Sequence, residues 1–282
     1  MRRVLDEILA TKRDEVRSLL EAPPRAQVGR GPRGASVVAR LSREEAQVET
    51  AGARRAPGEP PRSALRLVTE IKRRSPSAGA LSTVLSVAER ALVYARSGAA
   101  MISVLCDARF FDGGFGHLAK ARAALDAAGL AVPLLAKEFV VHERQLEEAA
   151  VSGADAALLI ARIVDRDELC RLTERALALG LEPLVEVVTE AELDAALAAG
   201  ATLIGVNARD LDTLAMDAER AARVLAAVPG DRIAVHLSGL KGPEDVAAVA
   251  RTDVDAALLG EALMREDDPT RLLQALVAAA SS

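Results

Sequence analysis

The sequence predicts an α/β protein built as a (β/α)8 barrel behind an N-terminal helical extension. Three observations predict it. From Leu65 onward, eight short apolar runs alternate with eight segments of helical period. Glycines 98, 129, 153, 180 and 200 stand just past helical segments, where a left-handed residue commonly ends a helix. The eight strand-helix units fill about 215 residues, close to a complete TIM barrel. An open doubly wound sheet would instead show a glycine-rich dinucleotide turn after an early strand, and Ser75-Pro76-Ser77 is not that turn.

In chain order, residues 1–20 read as an amphipathic helix, with Val4, Leu5, Ile8, Leu9, Val16, Leu19 and Leu20 at roughly helical spacing. Residues 21–63 are rich in Pro, Gly, Ala and Arg, which predicts a linker or partly ordered segment in which 36–47 could form a short helix. The expected division is therefore an extension over 1–64 and a catalytic barrel over 65–282. Strands are predicted at 67–72, 100–106, 133–139, 156–161, 183–188, 202–207, 232–237 and 255–260. Helices are predicted at 84–97, 117–128, 142–152, 165–179, 189–199, 217–227, 243–250 and 268–280.

Composition narrows the function. A net charge of −5 over 282 residues argues against a nucleic-acid binder, whose footprint would be basic. Aromatics make up only 2% of the chain, so the core must be aliphatic and base-stacking platforms are not expected. Two cysteines, Cys106 and Cys170, give neither a disulfide framework nor a metal-ligand cluster, which suits a reducing cytosol and no metal. No apolar run approaches the ~18 residues of a membrane span, and acids interrupt the first residues too early for a secretory signal.

In such barrels the chemistry sits at the C-terminal ends of the strands. The first strand ends Glu70-Ile71-Lys72-Arg73-Arg74-Ser75-Pro76-Ser77. Residues two apart in a strand share a face, so Glu70 and Lys72 point the same way; an exposed strand end with a surface ion pair would also suit them. Lys137 stands inside the apolar third run, Glu186 stands among aliphatics in the fifth, and Asn207 closes the sixth. Collected on one rim, these groups suit acid–base work, with Lys137 as candidate acid and Glu186 as candidate base. The seventh and eighth strands end Ser238-Gly239 and Gly260-Glu261, where barrels often hold phosphate on backbone N–H groups, and Ser75 could close that ring.

These residues carry a resemblance. Glu70 to Ser77 resembles the signature of indole-3-glycerol phosphate synthases. Asp107 with Phe110-Phe111 and Gly113-Gly114, then Lys137-Glu138-Phe139, Glu186-Val187, Gly205 to Leu211, Ser238-Gly239 and Gly260 to Met264 match that family in order. The resemblance implies decarboxylating, dehydrating ring closure of 1-(2-carboxyphenylamino)-1-deoxyribulose 5-phosphate, without metal or organic cofactor. It implies that Lys137 protonates the ribulose carbonyl oxygen and that Glu186 serves the dehydration. Lys72 would pair with the anthranilate carboxylate, while Glu70 and Asn207 hold lysines and substrate hydroxyls. Phe139 and Arg209 would contact substrate, and Ser75, Ser238, Gly239, Gly260 and Glu261 would form the phosphate pocket. The only partner implied is this small molecule, with no nucleic acid or membrane, in a cytoplasmic monomer or weak homo-oligomer.

The chain departs from that family in three places. Leu237 stands where the family carries a strand-end glutamate; a leucine accepts no hydrogen bond, and His236 should point to the opposite face. Ala78 replaces a usual lysine or glycine, and the arginine-rich 21–63 segment is longer than usual. Two other functions stay open at this point. One is a catalytically weakened barrel that binds the same sugar phosphate as a binding or assembly module. The other is phosphoribosylanthranilate isomerisation, for which adjacent Cys106 and Asp107 make a poor acid–base pair.

Overall fold

In the computed structural model, residues 4–21, 23, 34–43, 63–76, 78–210, 213 and 215–281 are described. Two helices come first, α1 (Val4–Glu21) and α2 (Gly34–Leu41). The next stretch runs β1 (Arg66–Ile71), a ribbon of β2 (Arg74–Ser75) and β3 (Gly79–Ala80), α3 (Val87–Arg96), β4 (Met101–Leu105), α4 (Ala108–Phe111), α5 (Phe115–Ala127) and β5 (Leu134–Lys137). It continues through α6 (Glu143–Val151), β6 (Ala156–Ile160), a short 3-10 turn (Ala161–Ile163), α7 (Arg166–Ala178), β7 (Glu182–Val187), α8 (Glu190–Ala198) and β8 (Leu203–Asn207). The last elements are α9 (Ala218–Ala227), β9 (Ile233–Leu237), α10 (Pro243–Ala250), β10 (Ala256–Leu259), α11 (Glu261–Arg265) and α12 (Thr270–Ala279).

β1 and β4 to β10 are parallel neighbours in chain order, and β1 pairs with β10 to close the barrel. This is the TIM-barrel fold, and each predicted strand overlaps an observed one. The strands are apolar on both faces because both are covered. Outward residues such as Leu67, Val104, Leu159 and Val185 pack beneath the helices. Inward residues such as Val68, Met101, Leu135, Leu158 and Leu184 fill the interior. Helix ends follow local chemistry: Ser86 and Glu89 form a capping box on α3. Gly153 ends α6 at φ 93°, with Arg122 so close that a Cβ would stand 2.5 Å from it.

α1 and α2 stop the two ends of this interior. Leu5 and Ile8 of α1 and Val37 and Leu41 of α2 belong to the same buried cluster as the inward strand residues. The short helix expected at 36–47 is therefore present as far as Leu41, and it is packed against the barrel where a linker would be solvated. Val37 and Leu41 are fully buried, and Arg43 donates to the carbonyls of Ser63, Ala250 and Val254 at the strand-entry end. Most of 21–63, including 44–47 of the expected short helix, lies outside the described residues. Leu20, placed on the apolar stripe of the first helix, is 54% exposed.

β7 sends a carboxylate to each end of the interior, because Glu182, Leu184 and Glu186 share a face. Glu182, at the base, is buried with no partner on Oε1, and burial pushes its carboxyl up to about 7. An unfolded glutamate titrates near 4.3. The native state therefore holds its proton longer, and stability drains as pH rises between those values. Glu182→Gln removes this penalty. It should stabilise the protein by about 2–3 kcal/mol near pH 8 and by much less near pH 5. Urea unfolding at both pH values checks it; an equal gain at each would show that ionisation is not the cause.

Candidate active site

At the C-terminal end of the barrel, β5, β7, β8 and β9 bring four predicted residues into one bonded chain. Lys137 Nζ lies 3.0 Å from Glu186 Oε2, and Asn207 Nδ2 donates to Glu186 Oε1 at 2.8 Å. Asn207 Oδ1 in turn accepts from Ser238 Oγ at 2.7 Å and from the Arg209 backbone N–H at 2.9 Å. Ser238 reaches Asn207 from a left-handed turn, φ 67°, that continues through Gly239 at φ 96°. A non-glycine residue there costs about 1–2 kcal/mol, so the fold holds this hydroxyl in place against strain.

A second pair stands across the mouth. Lys72 Nζ is 3.4 Å from both carboxylate oxygens of Glu70. Glu70 is 4% exposed, which excludes the surface-pair alternative. Gly260 is required here for a reason the sequence did not reveal: a Cβ on it would stand 3.0 Å from that of Glu70 and 3.1 Å from its Oε1. In both pairs the carboxylate is buried and the ammonium is partly open to the cavity.

Around these charges the cavity is apolar. Leu158, Ile160, Leu237 and Leu258 lie below, Phe111 and Phe139 to one side with ring centroids 6.0 Å apart, and Val4, Leu5 and Ile8 of α1 against it. Leu237 is 2% exposed, and its Cδ1 comes within 2.6 Å of where a Gly205 Cβ would stand. His236, as the alternation requires, faces outward between α9 and α10, where burial lowers its imidazole below the usual range.

Ser75 and Arg209 also line the cavity, Ser75 with its Oγ accepting from the Ala78 N–H at 3.0 Å. Gly239, Gly260 and Glu261 do not reach its lining, and the Glu261 carboxylate pairs with Arg265 at 2.7 Å. Ser77 and Leu211 lie outside the described residues. Cys106 and Asp107 form no acid–base pair. The thiol is buried, with its pKa pushed up by burial, while Lys12 holds Asp107 at 2.7 Å. Among the described residues no group of three or more His, Cys, Asp or Glu could hold a metal, and no helix is long and apolar enough to cross a membrane.

Sequence reasoning missed Lys12, Glu138 and the α1 side chains. The signal for Lys12 was present: Leu5, Ile8, Lys12 and Val16 form the buried stripe of α1, so a lysine occupies an apolar position.

Solved structures share the architecture. A 3-hexulose-6-phosphate synthase superposes with a TM-score of 0.57 at 18% identity, over 76% of this chain and 99% of that one. A thiamine phosphate pyrophosphorylase from Pyrococcus furiosus gives 0.57 at 18%, over 77% and 95%; identities this low speak for the fold alone. Sequence relatives speak for more. The indole-3-glycerol phosphate synthase of a Nocardioides species is 47% identical over 203 residues, 72% of this chain and 76% of the relative. That of Mycolicibacterium gilvum is 41% identical over 245 residues, 87% and 86% of the two. A family model described as indole-3-glycerol phosphate synthase matches residues 5–276, and the chain belongs to the indole-3-glycerol phosphate synthase family.

Proposed function

We propose that the barrel mouth converts 1-(2-carboxyphenylamino)-1-deoxyribulose 5-phosphate into indole-3-glycerol phosphate, carbon dioxide and water, as a carbon–carbon lyase of tryptophan biosynthesis. One observation carries this: an ammonium and a carboxylate, Lys137 and Glu186, meet at 3.0 Å above an apolar cavity sized for an aryl ring. Lys137 gives its proton to the ribulose carbonyl oxygen as the aromatic carbon attacks the carbonyl carbon. The carboxylate carbon then leaves as carbon dioxide, and its bonding pair restores the aromatic ring. Glu186 moves the proton that lets the new hydroxyl depart as water.

Lys72 pairs with the anthranilate carboxylate and Glu70 steadies Lys72. Asn207 orients Glu186, and Phe139 and Arg209 flank the substrate. Ser75 and Ser238, which line the cavity, receive the phosphate together with Gly239, Gly260 and Glu261 outside that lining, the last two chiefly through backbone. Lysine acids and an electron-accepting carbonyl suffice for this chemistry, so no cofactor is assigned. The setting assigned is the cytoplasm, and the protein a monomer or weak homo-oligomer.

A second function, binding the same sugar phosphate with weak turnover, is favoured by Leu237, which offers the substrate hydroxyls no acceptor. One experiment separates the two. Purified protein mixed with the aryl-amino ribulose phosphate should develop indole fluorescence without added metal. Saturable binding with no fluorescence would establish the weaker function, and neither signal would overturn both.

A further inference from the structure

Lys12 has no exposed surface, yet its ammonium touches three carboxylates: Glu15 at 2.7 Å, Asp107 at 2.7 Å and Glu138 at 2.9 Å. Burial alone would lower its pKa, but the Glu138 charge and the bonds to Asp107 and Glu15 outweigh it, and the group is held charged. An ammonium so enclosed could be only a structural ion pair. What its partners do with their other bonds argues for more. Asp107 Oδ1 accepts from the backbone N–H groups of Phe110 and Phe111, at 2.6 and 3.2 Å, capping α4. Glu138 Oε1 accepts from the Phe139 N–H at 2.7 Å, and Glu138 follows Lys137 directly. Each carboxylate thus holds the backbone that carries one ring of the Phe111–Phe139 pair beside the cavity. Lys12 is the bond they share.

Building on the function proposed above, we infer that Lys12 is a positioning residue of this site. Through Asp107 and Glu138 it sets the spacing of the two phenyl rings against the substrate aryl group and the seat of the adjacent Lys137. It also docks α1, so the helix side chains in the cavity and the ring pair are placed by one charge. Without it, two buried carboxylates would face each other with no cation between them. Glu138, which burial already pushes to about 7, would take up a proton.

The test compares Lys12→Met with Arg109→Ala. Arg109 ties the exposed face of α1 through Glu7, at 2.8 Å, and touches neither buried carboxylate. In Lys12→Met, kcat/KM should fall about tenfold or more, with KM raised by the displaced rings. Arg109→Ala should stay within about twofold of the parent, since it loosens only the contacts of an exposed side chain with Glu7, Thr11 and the Phe110 ring. A lower melting temperature in Lys12→Met with kcat and KM unchanged would overturn the inference, as would an equal kinetic loss in Arg109→Ala. If Lys12→Met does not fold, Glu138→Gln carries the test, because it keeps an acceptor for the Phe139 N–H and removes the charge. A several-fold loss of kcat/KM supports positioning and an unchanged value refutes it. If the parent protein forms no indole product, the proposed function fails separately. A crystal structure of whichever of the two variants folds then decides: shifted phenyl rings support the inference, and rings in place overturn it.

Discussion

Lys137→Ala should lower kcat by about 10²–10⁴-fold, the range a positioned general acid contributes. Lys72, the other ammonium of the mouth, is engaged by Glu70 across the cavity, bonded to a different strand end. KM should change little, because the apolar walls and the residues proposed to receive the phosphate remain. The variant should also lose stability, since Glu186 is 1% exposed and would keep Asn207 but lose its counter-charge. Steady-state kinetics well below the melting temperature separates the two effects. Substantial residual turnover would transfer the acid role to Lys72.

Glu186→Gln should cost about 10²-fold or more in kcat, although it removes almost no volume. A glutamine there can still accept one hydrogen bond, but its amide cannot take and return a proton. It would also present N–H groups toward Lys137 or Asn207, both of which donate to this carboxylate. Glu186 and Lys137 act as a unit in the proposed function, so the losses should not add. The double variant Lys137→Ala/Glu186→Gln should be little slower than the worse single variant. Additive losses in a transient-phase assay would show that the two residues serve independent steps.

The barrel was legible because its strands are buried on both faces, so each reads as a continuous apolar run such as 156–161. Its reactive rim was legible for a related reason: a charge inside such a run, as at Lys137 or Glu186, has no place except at a strand end. Short helices were not legible. α4 and α11 span four and five residues, too few for a helical period to register. α2 was legible only in part, as the short helix expected at 36–47; the Pro/Gly/Arg composition around it obscured its start at Gly34 and the burial of Val37 and Leu41 against the barrel base. Gly260 illustrates another limit: its position was noted, but the neighbour it makes room for, Glu70, is 190 residues away in sequence. Lys12 was overlooked because a lysine on an amphipathic helix ordinarily faces water.

Leu237 has a consequence for the tempo of the cycle. A glutamate at that strand end, as the resemblance has it, would add a fourth carboxylate to a cavity lined by Glu70, Glu138 and Glu186 and by Lys72, Lys137 and Arg209. With leucine, that repulsion toward an anionic sugar phosphate is absent, for the ligand arriving and the ligand departing alike. Substrate and product both carry the phosphate, so uniform tightening favours capture without favouring chemistry. The slow event would then move from ring closure toward the departure of a long-resident product. A single apolar side chain in the cavity floor would set how long each molecule stays.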